Sequence, residues 1–378
     1  MAITFFGIGA TPADSSGNSS SPAVITPPSS MQAGDLCVIY STLRATSGST
    51  SMSATGGQSW TALTQNNAAS PYYNRSHIFW CRFNGSWGAS PSVTMAASVN
   101  SVFMLVFRPN GGTSSTWLAD VALANTSVAA PSSPFTFTRT GITTTHNNAV
   151  AIAAFYCPAQ NTWGSLSGSG WDKTSLSAQY RNTTSGYQST SFAYKIQASA
   201  GATGNVAQNE SAGTAGTTHI LSFYEVALPA VTAQATPIDT ITDVSASGNG
   251  NVTDAGNGSV SVRGVCWDTS TNPTTANSHT DSGSGTGTFS AALTSLSPST
   301  HYYARFYATN QAGTVYSANY EFDTVASPAP PTVALNSPAD SSSDSDTTPT
   351  LTFTGTDVNG NTCRYQVQID TVNTFDSQ

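Results

Sequence analysis

Charge is scarce along this 378-residue chain: Asp, Glu, Lys and Arg together make up 8% of it, against about 25% in an ordinary soluble domain. Only three residues are glutamates (Glu210, Glu225, Glu321) and only two are lysines (Lys173, Lys195). These two types usually cover the solvent faces of helices, so their shortage argues against a helical protein. The formal net charge is −8, and no basic stripe is present to receive duplex nucleic acid. Apolar residues never run for the ~20 positions that a membrane-crossing helix needs; the longest stretches are Val102–Phe107 and Ala149–Cys157. The opening residues, Met1-Ala-Ile-Thr-Phe-Phe-Gly, lack the basic segment and apolar run of an export signal. Five cysteines (Cys37, Cys81, Cys157, Cys266, Cys363) lie far apart, odd in number and without metal-ligand spacing. Four of them fall inside apolar strand patterns and read as small buried hydrophobes.

In place of charge the chain carries Ser, Thr, Asn and 31 glycines, which favour strands and turns. Seven tryptophans and 14 tyrosines argue against general disorder, since disordered chains are poor in aromatics. The most informative segment is 296–313. A turn signal at Ser297-Pro298-Ser299 precedes an alternating strand, and Asn310–Gly313 makes the next turn. Tyr302 follows Pro298 by four residues, where a β-sandwich can turn a tyrosine hydroxyl back onto the backbone.

Read along its length, the chain divides into a Ser/Pro/Gly-rich leader (1–30), a long all-β region (31–228), a second module (229–326) and a C-terminal segment (331–378). The long region reads as a divergent duplication. Strands at Leu36–Thr42, Trp60–Leu63, Ser76–Phe83 and Ser101–Arg108 recur as Ala149–Tyr156, the neighbourhood of Trp171, Thr190–Gln197 and His219–Val226. Trp60, Trp80 and Trp171, lying in strand patterns, read as core residues. Two related halves of this kind suit one jelly-roll-like double sheet. The second module has the length and turn spacing of a seven-stranded sandwich, with Trp267 in a core strand, and a stiff spacer at Ala326–Pro331 follows it. The expected fold class is all-β: a jelly-roll-like β-sandwich followed by Ig/fibronectin III-like sandwiches in tandem. The last 47 residues are too few for an independent sandwich, and the expectation is that they open a longer array.

Residues 230–325 closely resemble a fibronectin type III-like repeat of bacterial surface proteins and some phages. The resemblance lies in Arg263-Gly-Val-Cys-Trp-Asp-Thr-Ser-Thr-Asn-Pro, Gly285-Thr-Gly-Thr-Phe, Leu296-Ser-Pro-Ser-Thr and Ala308-Thr-Asn-Gln-Ala-Gly-Thr. Residues 331–378 resemble the opening of a bacterial Ig-like repeat through Asn336-Ser-Pro-Ala-Asp, Thr348-Pro-Thr-Leu-Thr-Phe and Tyr365-Gln-Val-Gln-Ile-Asp. Residues 34–226 resemble a two-part β-sandwich of phage virion proteins through Gly34-Asp-Leu and Gly170-Trp. Together these imply a surface protein of a tailed phage, with an N-terminal domain on the particle and Ig-like modules projecting from it. The resemblance carries over no catalytic residues.

Catalysis finds little support in the residues themselves. The five histidines (His77, His146, His219, His279, His301) are scattered and no Gly-x-Ser-x-Gly elbow is present. The glutamates show no pairing suited to glycoside hydrolysis. Calcium is a candidate ligand at Asp357-Val-Asn-Gly-Asn, through Asp357, Asn359 and Asn361, with Asp340, Asp344 and Asp346 nearby; the alternative there is an Asx-stabilised turn. Tyr72, Tyr73, Trp87, Trp117 and Trp163 lie in or beside loops and are candidate platforms for sugar rings, the alternative being anchors that cover sandwich ends. The expectation is a non-enzymatic structural and adhesive protein on a virion surface, in capsid or tail, with no resident cofactor. It would form a homo-oligomer, hold other virion proteins through its N-terminal domain, and touch host surface or polysaccharide through its modules without inserting into a membrane. The competing expectation is a secreted or cell-surface bacterial adhesin or carbohydrate-binding module.

Overall fold

The computed structural model describes residues 2–9, 23–44, 49–63, 66–68, 74–95, 100–129, 135–159, 162–173, 180–182, 188–211, 215–339, 345, 347–358 and 362–367. Among them the only helical element is one 3-10 turn, Gly112–Ser114. The rest is antiparallel β-structure, so the fold class is all-β.

The first half contains β1 (Thr4–Gly9), β2 (Ala23–Val24), β3 (Leu36–Arg44), β4 (Thr50–Ala54), β5 (Thr61–Ala62), β6 (Asn66–Ala68), β7 (Asn74–Arg82), β8 (Ser92–Met95) and β9 (Asn100–Arg108). Its large sheet runs β1-β9-β3-β7-β5, with β6 continuing the β5 edge, and its small sheet runs β2-β8-β4. The second half contains β10 (Thr116–Val128), β11 (Phe135–Arg139), β12 (Thr143–Thr144), β13 (Ala149–Cys157), β14 (Trp163–Ser167), β15 (Tyr180–Asn182), β16 (Gln188–Gln197), β17 (Gly201–Ala202), β18 (Val206–Glu210) and β19 (Gly216–Val226). It repeats the plan as β10-β19-β13-β16-β15 facing β11-β18-β14, with β12 and β17 as an added pair. In each half the first strand lies beside the last and the second beside the penultimate, which is jelly-roll order.

This corrects two expectations. Each half closes its own jelly roll, where a single one was expected from both together. Residues 1–30 are also more than a leader: β1 is the edge strand paired to β9 from Thr4↔Arg108 to Gly9↔Met104, and Ile3 and Ile25 are buried. The Ser/Pro/Gly composition around them masks two strands too short to show a period.

The two rolls stack large sheet to large sheet. Alternate residues of β3 point to opposite layers: Leu36, Val38 and Tyr40 meet Val150, Ile152, Phe192 and Phe223 of the second roll. Cys37 and Ile39 meet the first roll's own small sheet through Ile25 and Val93. The second roll does the same with Phe137, Ala151, Phe155 and Trp163. A sheet covered on both faces needs apolar residues at every position, hence the unbroken apolar runs of β13 and β9. Gly34-Asp-Leu sets the entry to β3. Gly34 has φ +97, and a Cβ there would lie 2.9 Å from the Gly112 carbonyl. The fully buried Asp35 carboxylate receives two hydrogen bonds from Arg108, at 3.1 Å each, and one from the Gln32 N–H at 2.8 Å.

Toward one end the seam between the rolls turns polar. Thr42 Oγ1 and Ser101 Oγ are 2.5 Å apart, and Ser101 reaches Thr190 of the other roll at 3.4 Å. His219 Nε2 lies 3.4 Å from Ser76 Oγ and 3.3 Å from Thr217 Oγ1, with the Tyr40 ring set edge-on against its own.

Residues 230–325 form a separate sandwich. Its strands are β20 (Ala230–Asp239), β21 (Ala246–Asp254), β22 (Val262–Asp268), β23 (Ser278–Asp281), β24 (Gly287–Leu293), β25 (His301–Asn310), β26 (Gly313–Tyr316) and β27 (Tyr320–Asp323). Sheet β20-β21-β24 packs on β23-β22-β25-β26, with β27 also on β25. β26 and β27 pair with successive stretches of β25, Tyr307–Asn310 and His301–Ala304. Counted as one interrupted edge strand, they give the three-plus-four order of a fibronectin type III sandwich. Trp267 lies in its core, and the Tyr302 hydroxyl accepts a hydrogen bond from the Ser297 N–H at 3.0 Å. Beyond it, β28 (Thr332–Ser337) and β29 (Thr352–Thr356) form a two-stranded ladder whose apolar side chains Val333, Leu335 and Phe353 are exposed.

Burial pushes the His219 imidazole down from 6.5 to about 3, and the Arg139 charge adds to the effect. The unfolded chain takes up a proton near pH 6.5 that the folded chain refuses until about pH 3. The stability this group confers is therefore complete above pH 6.5 and falls as pH drops through that window, by up to ~1.4 kcal/mol per unit. His219→Gln keeps polar contacts and removes the titration. Between about pH 7 and about pH 4.5, urea denaturation should show the wild type losing roughly 2–3 kcal/mol more than the variant; equal losses would refute the assignment.

Candidate glycan-contact surface

Of the five aromatic residues expected to meet sugars, three lie among the described residues, and the structure keeps one of these at the surface. Trp117 is 1% exposed and its Nε1 donates to the Gly34 carbonyl at 2.8 Å, tying the second roll to the first. Trp163 is 1% exposed and packs between Phe137 and Phe155. Both are core residues, a correction with one physical cause: each sits next to a loop in sequence, yet its strand carries the ring inward. Tyr72 and Tyr73 lie outside the described residues.

Trp87 remains, half-buried on the loop between β7 and β8, and it has a neighbour that the sequence placed in the core. Trp60, also half-buried, stacks near it with ring centroids 6.5 Å apart and planes 26° apart. Trp87 also stacks on Phe83 at 4.9 Å and 25°. The two tryptophans cap the core between the sheets of the first roll. In the second roll Trp171 takes the place of Trp60: each immediately precedes a residue that pairs with the seventh strand of its half, Thr61↔Trp80 on β7 and Asp172↔Tyr194 on β16.

The loops under this pair are held by one buried amide. Gln58 Nε2 donates to Asn84 Oδ1 at 3.0 Å and to the Ser86 carbonyl at 2.7 Å, while its Oε1 accepts from the Asn84 N–H at 2.9 Å. The Gly88 N–H donates to the Gly56 carbonyl at 3.0 Å, and Trp60 Nε1 donates to the Thr55 carbonyl at 2.8 Å. Trp87 lies so close over Gly56 that a Cβ there would be 2.7 Å from the indole. The indole faces are thus fixed before any ligand arrives, which lowers the ordering cost of binding. Asn84, Ser86 and Ser59 are exposed around them as polar partners for hydroxyl groups.

No family model matches the chain, and no curated protein matches it. Among solved structures it is similar to the sensor domain of the anti-sigma factor RsgI4 of Pseudobacteroides cellulosolvens, at 21% identity over 26% of this chain and 95% of that one, with a TM-score of 0.20. It is also similar to the FN1–FN3 domains of chicken CNTN1, at 11% identity over 86% of this chain and 97% of that one, with a TM-score of 0.20. The fibronectin type III assignment of 230–325 rests on its own strand order.

The ionisable groups weighed for catalysis are engaged in structure. Glu225, buried at the end of β19, accepts from the Asn110 and Gly111 N–H groups and from the Ser115 hydroxyl at 2.7 Å. Glu210 is buried in β18 and Glu321 lies in β27 of the other domain. Two histidine–carboxylate pairs form that spacing alone could not show: His146 with Asp120, and His301 with Asp323, each at 2.8 Å. Hydrogen bonds from His146 and Thr145 hold Asp120 below the usual carboxylate range despite opposing desolvation. At the expected calcium loop, Asp357 is half-buried beside the Cys363 thiol at 4.0 Å; Asn359, Asn361, Asp340, Asp344 and Asp346 lie outside the described residues. Among the described residues, no three of His, Cys, Asp and Glu are grouped to hold a metal.

Replacing Trp60 with Ala should weaken binding to a responsive polysaccharide by roughly tenfold. Gln58→Ala should weaken it as well, by freeing both loops. Isothermal titration with the best hit of a glycan array measures both, and unaltered affinity in the two variants would remove the platform.

Proposed function

We infer that the protein is a non-enzymatic display and attachment protein of a tailed-phage particle, in which the paired jelly rolls form the mount and the fibronectin-type sandwich is held out from it. The observation that carries this reading is the junction between them. The Ala227 N–H donates to the Gly256 carbonyl at 2.8 Å. Asn310 Nδ2 donates to the carbonyls of Ala227 at 2.7 Å and Ala255 at 2.8 Å. Asn257 Nδ2 reaches the Asn147 and Glu225 carbonyls of the second roll at 2.7 and 2.8 Å. A flexible tether needs none of these bonds; a projecting arm with a set direction does. The phage setting is supported by the sequence resemblance of residues 34–226 and 230–325 described above. Homo-oligomeric assembly through the rolls and weak contacts multiplied by copy number complete the reading.

A second reading, a secreted bacterial adhesin or carbohydrate-binding module, is favoured by the Trp60–Trp87 platform. The two separate on purified material. Cryo-EM of particles carrying the protein should show symmetric density for the rolls at the particle surface with the sandwich projecting. A chain that stays monomeric at high concentration, is absent from particles and still binds polysaccharide would establish the second reading instead.

The junction itself is testable. Asn257→Ala combined with Asn310→Ala should let the sandwich tumble on its own, so that ¹⁵N relaxation gives two correlation times where the wild type gives one. The melting transitions should be retained. A single correlation time in the double variant would show that the asparagines do not set the direction.

A further inference from the structure

The geometry points to a redox-labile disulfide between Cys37 and Cys81. The two residues are remote in sequence but face one another across antiparallel β3 and β7, in a register unbroken from Leu36↔Arg82 to Arg44↔Asn74. Both side chains enter the same layer, the core between the large and small sheets of the first roll, where both are buried. Facing residues of such a pair have Cα atoms ~4.5–5.5 Å apart, within the ~4.4–6.8 Å that a disulfide spans. Among the described residues no other two cysteines are cross-strand neighbours: Cys157 faces Ser189, and Cys266 faces His279 and Arg305.

The position also predicts a weak bridge. Two residues back along the same ladder, the Phe83 N–H donates to the Asp35 carbonyl at 2.8 Å. Hydrogen-bonded pairs alternate along an antiparallel ladder, so Cys37 and Cys81 form a hydrogen-bonded pair, the wider kind. Closing the bridge must draw the Cβ atoms to ~3.8 Å, straining the sheet and making the bond easy to reduce. Burial and the neighbouring thiol push the Cys37 thiol up, so reaction is slow at neutral pH and quickens in alkali. The oxidant is a small-molecule disulfide. One cysteine thiolate attacks its sulfur and expels a small thiolate, leaving a mixed disulfide. The second cysteine thiolate then attacks the protein-side sulfur and expels the other small thiolate. The two protein thiols give up two electrons and two protons, and two small thiols are released. The consequence is a covalent tie between the central strands of the sheet that faces the second roll, open in a reducing compartment and closed outside it. The inference stands apart from the functional reading above.

The test uses the full chain with Cys157, Cys266 and Cys363 replaced by Ala, beside the wild type, incubated with oxidised glutathione at neutral and at alkaline pH. Free thiols are alkylated after unfolding and non-reduced peptides are mapped by mass spectrometry. The expected result is a Cys37–Cys81 crosslinked peptide two mass units lighter than the separate thiols in both proteins. It should form faster in alkali and be reversed by millimolar reduced glutathione. Cys81→Ala, a small change that keeps the layer apolar, should yield no such peptide while keeping the wild-type near-ultraviolet circular dichroism. Full alkylation of both cysteines after prolonged oxidation overturns the proposal, as does a crosslink that resists reduced glutathione.

Discussion

Two β-sheets pressed face to face between the jelly rolls are the constraint on which the rest of the molecule depends. Each large sheet is covered on one side by its own small sheet and on the other by its counterpart, so strands such as β3 and β13 have no wet face. Leu36, Val38 and Tyr40 serve the seam between the rolls, while Cys37 and Ile39 serve the inner core. A one-residue slip of either strand would exchange those two sets. Neither roll can therefore leave the other without exposing a whole sheet of aromatic and aliphatic surface. The pair behaves as one body because its halves share their largest core.

The seam is not uniformly apolar, and this gives it a direction. At one end Trp117, Phe107 and Phe223 fill it; at the other, Ser101 bonds Thr190 and Ser76 bonds His219 across it, with Thr42 bonded to Ser101 on the first roll's side. Buried hydroxyls in such a position add little net stability but penalise any arrangement that leaves them unpaired. They fix how one roll sits on the other, whereas the apolar end supplies most of the adhesion. A neutral imidazole in the polar half makes the arrangement sensitive to acid.

From this body the fibronectin-type sandwich takes its orientation through side-chain amides on linker carbonyls, and the aromatic platform takes its rigidity through another amide, Gln58. The same chemistry serves both because a chain with so few charged residues must brace its loops with neutral donors and acceptors. Asn, Gln, Ser and Thr do the work that ion pairs do elsewhere, and their contacts are insensitive to salt.

The duplication was readable in the sequence because the central strands are apolar at every position, and unbroken runs such as Ala149–Cys157 stand out against a polar background. The edge strands were not readable. Thr4–Gly9 and Ala23–Val24 are too short, and too mixed with Gly and Pro, to show a period, so the completion of each half into its own roll stayed hidden. Trp60 and Trp117 exchanged roles for a related reason: proximity to a loop says nothing about which way a ring points, and only cross-strand register and the depth of the sheet stack decide it. Composition and periodicity determined that this protein is all-β, built in duplicate and followed by a small sandwich with Trp267 in its core, because those properties depend on neighbours along the chain. The tertiary structure alone decided which faces meet, which tryptophans reach water and which cysteines touch, because each depends on pairing between residues that the chain holds far apart.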